Sequence, residues 1–229
     1  MSRSYGQLCG LALALDAIGD RWSLLIIREL LVRPEGARYT DLRDGLPGIA
    51  TNLLADRLRD LEAAGVLRRE EPRPPVATPL LRLTELGQGL RATVEALSVW
   101  GGERVPAANG DDEFRSRWLI IPIEAMLRDT EPDEPAVILE IVTGDEPVII
   151  EIGSGAVRAR TAPRASTRPG DGGRPPDLVV TGPPKAVLGV LSGRLPLIAA
   201  TRLGVTVAGD GGVLARAGLG GADQVVTSP

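Results

Sequence analysis

Apolar residues recur at helical spacing through most of the first hundred positions and give way to strand-like alternation in the second half. Positions 10–18 and 21–32 read as two helices parted at Gly19-Asp20, with Asp20 placed to cap the second and Trp22, Leu25, Ile26 and Leu30 forming its buried stripe. A shorter helix over 39–46 runs into a Pro47-Gly48 turn, and another begins near Thr51. In that helix Leu54, Leu58 and Leu61 share one face, which leaves Asn52, Ala55, Asp56 and Arg59 on the opposite one, and Gly65 stops it. Residues 67–70 and 80–84 read as paired strands, while Pro72, Pro74, Pro75 and Pro79 keep the segment between them out of a ladder. From 84 to 101 the pattern predicts one longer helix with Leu86, Leu90, Val94 and Leu97 on a single stripe. That stripe needs a partner, either its own domain or the same helix of a second copy.

Residues 101–113, GGERVPAANGDDE, are rich in Gly, Pro and acid and read as a linker. Beyond it the spacing predicts a helix over 114–128 and strands at 136–142, 147–153 and 155–160, with tight turns at Gly144-Asp145 and Gly153-Ser154-Gly155. A loop rich in Pro, Gly and Arg spans 162–176. A strand at 177–182, a helix opened by proline and a short helical piece then lead to VTVAGD. The expected organisation is α+β in two parts: a largely helical domain at 1–105, a linker at 106–113 and a smaller α+β domain at 114–229.

Composition narrows the chemistry. The chain has 229 residues, 43% of them hydrophobic, enough to bury a core in one or two domains. Its net charge of -4 is unevenly spread: 1–105 holds 14 Arg against 14 acids, and 106–229 holds 12 basic residues against 16 acids. Only Lys185 among the basic residues is lysine, so nearly every cation is a bidentate donor. With no His and one Cys, histidine-based triads, Cys/His zinc sites and internal disulfides are excluded. Glu140, Asp145 and Glu151 sit at alternating or turn positions as solvated carboxylates do, and no Gly-rich phosphate loop follows a strand. The expectation is a protein that is not an enzyme, with neither cofactor nor metal. The apolar stretch 11–31 is interrupted by Asp16, Asp20, Arg21, Arg28 and Glu29, and no small-residue cleavage site follows it. No membrane span is expected, and the expected location is the cytoplasm.

Residues 39–84 set a short helix, a Pro/Gly turn, a second amphipathic helix and two strands around a Pro-rich tip, the order of parts in a winged helix-turn-helix. The stretch from Cys9 to Gly101 resembles the HxlR family of bacterial winged-helix transcription regulators. The matching residues are Cys9, LDAIGDRWSLLIIRELL, YTDLRDGLPGIATNLLADRLRDLEAAGVLRR, and LRLTELGQGL leading to Trp100-Gly101. The resemblance implies a homodimer on double-stranded operator DNA, with the helix from Thr51 in the major groove and the wing beside it. On that basis Thr51, Asn52, Ala55, Asp56 and Arg59 face base edges, and Thr40, Arg43, Arg57, Arg69 and Arg73 are phosphate candidates. Positions 55 and 56 depart from the many relatives that carry Ser and a basic residue there; Asp56 either accepts from a cytosine amino group or repels phosphate. Glu70 and Glu71 dilute the positive charge of the wing. Many relatives also carry an N-terminal cysteine that senses electrophiles or oxidants, so Cys9 is either an inert small residue or a sensor.

The second half is similar, over roughly 114–210, to an SCP2-type sterol-carrier domain, on element order plus PDLVVTGPPKAVLGVLSGRL and VTVAGD. The resemblance implies an apolar cavity. With only Phe114 and Trp118 as aromatic residues after the linker, a small aliphatic pocket is expected; its candidate lining is Trp118, Ile121, Ile138, Ile149, Leu188 and Leu191, which equally read as core. The reading is a dimeric regulator acting as a repressor under an apolar small-molecule effector. Two alternatives stand beside it: an apolar-ligand carrier whose winged helix is a dimer or protein-contact module, and a redox or electrophile sensor working through Cys9.

Overall fold

Leu54, Leu58 and Leu61 are wholly buried on one side of a 13-residue helix, and the first half of the chain is built around that side. In a computed structural model, residues 4–71, 78–105, 112–162 and 174–219 are described. The chain divides into two compact units, Met1–Val94 and Glu95–Pro229.

The first unit opens with α1 (Gly10–Ile18) and α2 (Ser23–Leu31). Asp20 does not cap α2 directly, as the sequence suggests. Its carboxylate accepts from the Trp22 N–H at 3.1 Å and its carbonyl from the Ser23 N–H, so it holds a turn ahead of a helix that starts two residues later than expected. Ile26, Ile27, Leu30 and Leu31 bury the inner side of α2. Glu29 is buried too, and it is satisfied by Arg28 at 2.9 Å and Arg33 at 2.6 Å. After α3 (Tyr39–Gly45) and α4 (Thr51–Ala63), Gly65 ends the helical run at φ +71.

Strands β1 (Leu67–Glu70) and β2 (Leu80–Leu83) pair antiparallel, Leu67 opposite Leu83, and Ala37 adds a single bridge to Leu81. Their register sets Arg68 directly across from Arg82. Glu70 relieves that repulsion by pairing with both, at 2.9 Å and 2.8 Å. Its carboxyl is held below the usual range, first by the hydrogen bond from Arg68. Glu70 is therefore a brace within the hairpin.

The long helix expected over 84–101 is broken. It forms α5 (Glu85–Gln88), capped by the Thr84 hydroxyl on the Gly87 N–H, and α6 (Arg91–Gly102). Gly87 makes a close approach there: a Cβ on it would land on the Val66 carbonyl oxygen, so α5 lies tight against the start of the hairpin, and the regular helix lapses into a turn at Gly89-Leu90 before α6 begins. Exposure varies along the four expected stripe residues. Leu86 is 64% exposed, Val94 is buried at 5%, Leu90 is half-buried and Leu97 is exposed.

The second unit is a five-stranded sheet in the order β5-β4-β3-β6-β7, from β3 (Val137–Thr143), β4 (Glu146–Gly153), β5 (Ala156–Thr161), β6 (Leu178–Thr181) and β7 (Thr206–Gly209). Among the described residues only the central β3–β6 pair is parallel. The two hairpin turns match expectation, with Gly144 at φ +71 and Ser154-Gly155 both left-handed. Ahead of the sheet, the helix expected over 114–128 is instead a 3-10 turn at Ser116–Leu119 followed by α7 (Ile120–Met126). Buried Ser116 fixes the tighter start: its N–H reaches Asp145 at 2.8 Å and its hydroxyl donates to the Thr143 carbonyl. Helices α8 (Pro184–Leu191) and α9 (Leu197–Thr201) precede β7, and α10 (Gly212–Leu214) follows it.

Alternation along the strands buries one face only. Leu139, Ile141, Val148, Ile150, Ile152, Leu178 and Val180 are almost completely buried, while Ile138, Glu140, Ile149, Glu151, Arg158 and Arg160 take the other face, half-buried or exposed. At the outermost strand, the Ala159 N–H donates to Glu124 of α7 at 2.9 Å. The end of the unit is locked by Arg216, which pairs with Asp129 at 3.0 Å and donates to the Pro135 and Glu134 carbonyls. Asp129 also accepts from the Gly155 and Glu131 N–H groups. Asp177 performs a similar service for β6, accepting from the Ile138 N–H at 2.7 Å and from Arg174 at 2.5 Å.

Candidate nucleic-acid interface

Two helices joined by a five-residue turn present α4 on the surface of the first unit. Leu42 and Leu46 anchor α3 in the core, Gly48 turns the chain at φ +83, and the Tyr39 hydroxyl donates to the Thr51 carbonyl at 2.9 Å, tying the start of α3 to the start of α4. Ala50, the N-cap of α4, makes no side-chain cap. The first N–H groups of α4, at the positive end of the helix, are left to solvent or to an anion.

The residues opposite Leu54, Leu58 and Leu61 are those the periodicity singled out. Thr51 and Asn52 are exposed at the first turn, Ala55 is half-buried, and the Asp56 and Arg59 side chains are 50% and 69% exposed and ion-paired to each other. Arg57 is placed differently. At 26% exposed it turns aside to Asp20 at 3.4 Å and Asp60 at 3.0 Å, bracing α4 against the turn before α2. On α3, Thr40 and Arg43 are exposed, Arg43 pairing with the neighbouring Asp44 at 3.3 Å. Arg69 of β1 pairs with Glu62 of α4 at 2.9 Å, linking the hairpin to the helix. Arg73 and the proline-rich tip at 72–77 lie outside the described residues. The cations expected on this surface, Arg73 apart, thus each have a carboxylate within reach, and the surface carries alternating charge in place of a basic field.

Cys9 is exposed at the position preceding α1, with its thiol held below the ordinary value by the Ala12 N–H first and the Leu11 N–H second. Around it lies apolar surface that the search for a single helical stripe missed. Leu8, Leu11, Leu13 and Leu15 are all exposed, because the LALAL run places leucines around most of the helix and Ala12 and Ile18 alone are buried. A helix apolar on nearly every side was the available signal. On α6, Leu97, Val99 and Trp100 are exposed, and the Arg104 guanidinium lies 4.8 Å from the Trp100 ring centroid.

A helix-turn-helix also emerges from comparison. The model of a family described as HxlR-like helix-turn-helix matches residues 17–109. An uncharacterised HTH-type transcriptional regulator of Bacillus subtilis, YkvN, is 31% identical over 106 residues, covering 46% of this chain and 88% of the relative. The chain belongs to the HxlR family of helix-turn-helix transcription regulators. A second relative, the HTH-type transcriptional regulator YodB of Bacillus subtilis, is 32% identical over 91 residues, 39% of this chain and 79% of its own length. An uncharacterised regulator of Mycobacterium bovis, Mb3122, is 36% identical over 97 residues, 42% and 60% of the two chains. The family match ends at residue 109, ahead of the five-stranded sheet of the second unit.

In that second unit the candidate pocket residues separate. Ile121 and Leu191 are buried, Trp118 and Leu188 are half-buried, and Ile138 and Ile149 project from the sheet face opposite Leu139 and Ile150. Among the described residues no cluster of His, Cys, Asp and Glu could hold a metal, and no helix is long and apolar enough to cross a membrane.

Proposed function

We propose that this HxlR-family protein is a homodimeric repressor that reads operator DNA with α4 in the major groove and the β1–β2 hairpin beside it. The observation that carries the reading is the division of α4: three leucines wholly buried on one side, and Asn52, Asp56 and Arg59 open to solvent on the other. Thr40, Thr51 and the unbonded N–H groups at the start of α4 are the phosphate contacts best supported by exposure, with Arg43 and Arg69 available once they leave their carboxylate partners. Dimer formation rests on the exposed leucines of α1 and on Leu97, Val99 and Trp100 of α6, apolar area of the kind a second copy covers. Repression needs no partner beyond DNA, since a protein seated over a promoter blocks it by occupancy.

The test is binding to the DNA upstream of the protein's own gene at several salt concentrations, beside a measurement of solution mass. The expected result is a dimer with sequence preference and an affinity that falls as salt rises. Leu11→Asp should give a monomer with weakened operator binding. A wild-type chain that is monomeric and indifferent to sequence would favour the alternative of a ligand carrier.

The second unit is proposed to be an SCP2-like module for an apolar effector, supported by its element order and by the one-sided sheet with helices after β6. For such an effector to regulate, it must bind the DNA-competent and DNA-incompetent states unequally. A second mode of control is favoured by one observation: Cys9 is exposed with a lowered thiol pKa, which suits oxidation or attack on an electrophile.

A further inference from the structure

We propose that Asp56 and Arg59 act as a single reading unit, selecting a G·C pair in each half-site by offering a carboxylate acceptor and a guanidinium fork side by side. The inference rests on the proposed placement of α4 in the major groove. The two side chains are one helical turn apart, joined by an ion pair, and both open to solvent on the face turned away from Leu54, Leu58 and Leu61.

A G·C pair shows the major groove two acceptors, guanine N7 and O6, next to one donor, the cytosine N4 amino group. Arg59 matches the first two and Asp56 the third. A carboxylate has no donor, so it gains nothing from phosphate oxygens and is repelled by them; on this face the only favourable DNA partner for Asp56 is a base amino group. An isolated carboxylate in the groove would cost affinity at every sequence. Paired with Arg59, it enters as half of a neutral unit, and the same contact that cancels its charge orients the guanidinium. Arg57 takes no part, being engaged with Asp20 and Asp60, so the charge around Asp56 is set by Arg59. A neutral unit displaces no net counterions, and its contribution should depend on sequence far more than on salt.

The experiment is selection from random duplexes, followed by affinity measurement for wild type, Asp56→Ala, Asp56→Asn, Arg59→Ala and the double Ala variant. Circular dichroism checks each fold; both side chains are exposed, so the helix should persist. Wild type should require a G·C pair at one position per half-site, and Asp56→Ala should relax that position by roughly 5- to 100-fold. Asp56→Asn should admit adenine there, because an amide both donates and accepts. Arg59→Ala should bind more weakly than the double variant, since it leaves the carboxylate uncompensated; the double variant should leave the salt dependence of binding nearly unaltered, whereas Asp56→Ala, which frees the Arg59 charge, should steepen it. If wild type selects a consensus that Asp56→Ala leaves unchanged while tightening binding to every duplex alike, Asp56 only screens Arg59 and this proposal fails alone. If wild type selects no sequence at all, the operator reading fails and this proposal with it.

Discussion

Cys9 sits where a helix start meets solvent, and the N–H groups of Ala12 and Leu11 favour its thiolate. Alkylation with iodoacetamide should therefore show a rate-against-pH midpoint below that of the same chain unfolded in urea, and Cys9→Ser should keep operator binding while ignoring oxidants. Coincident midpoints would leave Cys9 an ordinary thiol. At this scale the solvent-facing side of α4 was readable because helical periodicity needs only the leucines: once Leu54, Leu58 and Leu61 are set inward, Asn52, Asp56 and Arg59 have nowhere else to point. Arg57 was not readable. Its diversion depends on Asp20, 37 positions earlier in sequence and brought close only by packing of α4 beside the turn before α2. Glu70 illustrates the same limit, because its partner Arg82 becomes its neighbour through strand register.

α5 meets the start of the hairpin at one glycine. Gly87 is buried with its α-carbon against the Val66 carbonyl, and Thr84 caps α5 while also donating to the Gly65 carbonyl at 2.5 Å. Gly87→Ala should cost roughly 1–3 kcal/mol in urea unfolding, the usual range for overpacking. Gly101→Ala, where nothing lies near an added Cβ, is the control and should change stability little. The periodic pattern across 84–101 ran through the lapse at Gly89-Leu90 without interruption, because hydrophobic spacing reports which residues are apolar and is silent on where the backbone hydrogen bonding changes. The strands were legible for the opposite reason. In β3 and β4 the alternation coincides with burial on one face, and left-handed Gly144 and Gly155 mark the turns. What alternation could not supply was which strands lie side by side, so the parallel β3–β6 pairing and the separation of Ile138 and Ile149 from Ile121 and Leu191 had to come from the structure.

At the scale of the whole molecule, each unit has its own buried core, and the second is tied off by a closed ion pair. The Asp129 carboxyl is held below the ordinary range, first by the hydrogen bond from Arg216, against the opposing effect of burial and with help from the Gly155 and Glu131 N–H groups. A depressed carboxylate stabilises the fold above its unfolded pKa of about 3.9 and loses that contribution as pH falls through the lower folded value. Asp129→Asn should thus lower the unfolding midpoint at pH 7, with the gap to wild type closing as both are taken into acid below pH about 4; a gap that stays constant would count against the pairing as its source. Glu124 has a quieter consequence. By taking up the Ala159 N–H on the β5 rim of the sheet, with Arg158 and Arg160 exposed on either side of it, it leaves that edge with one donor fewer to offer a strand from another chain. The β5 edge is in this way made a poorer seat for sheet-to-sheet aggregation, through a carboxylate that lies on α7.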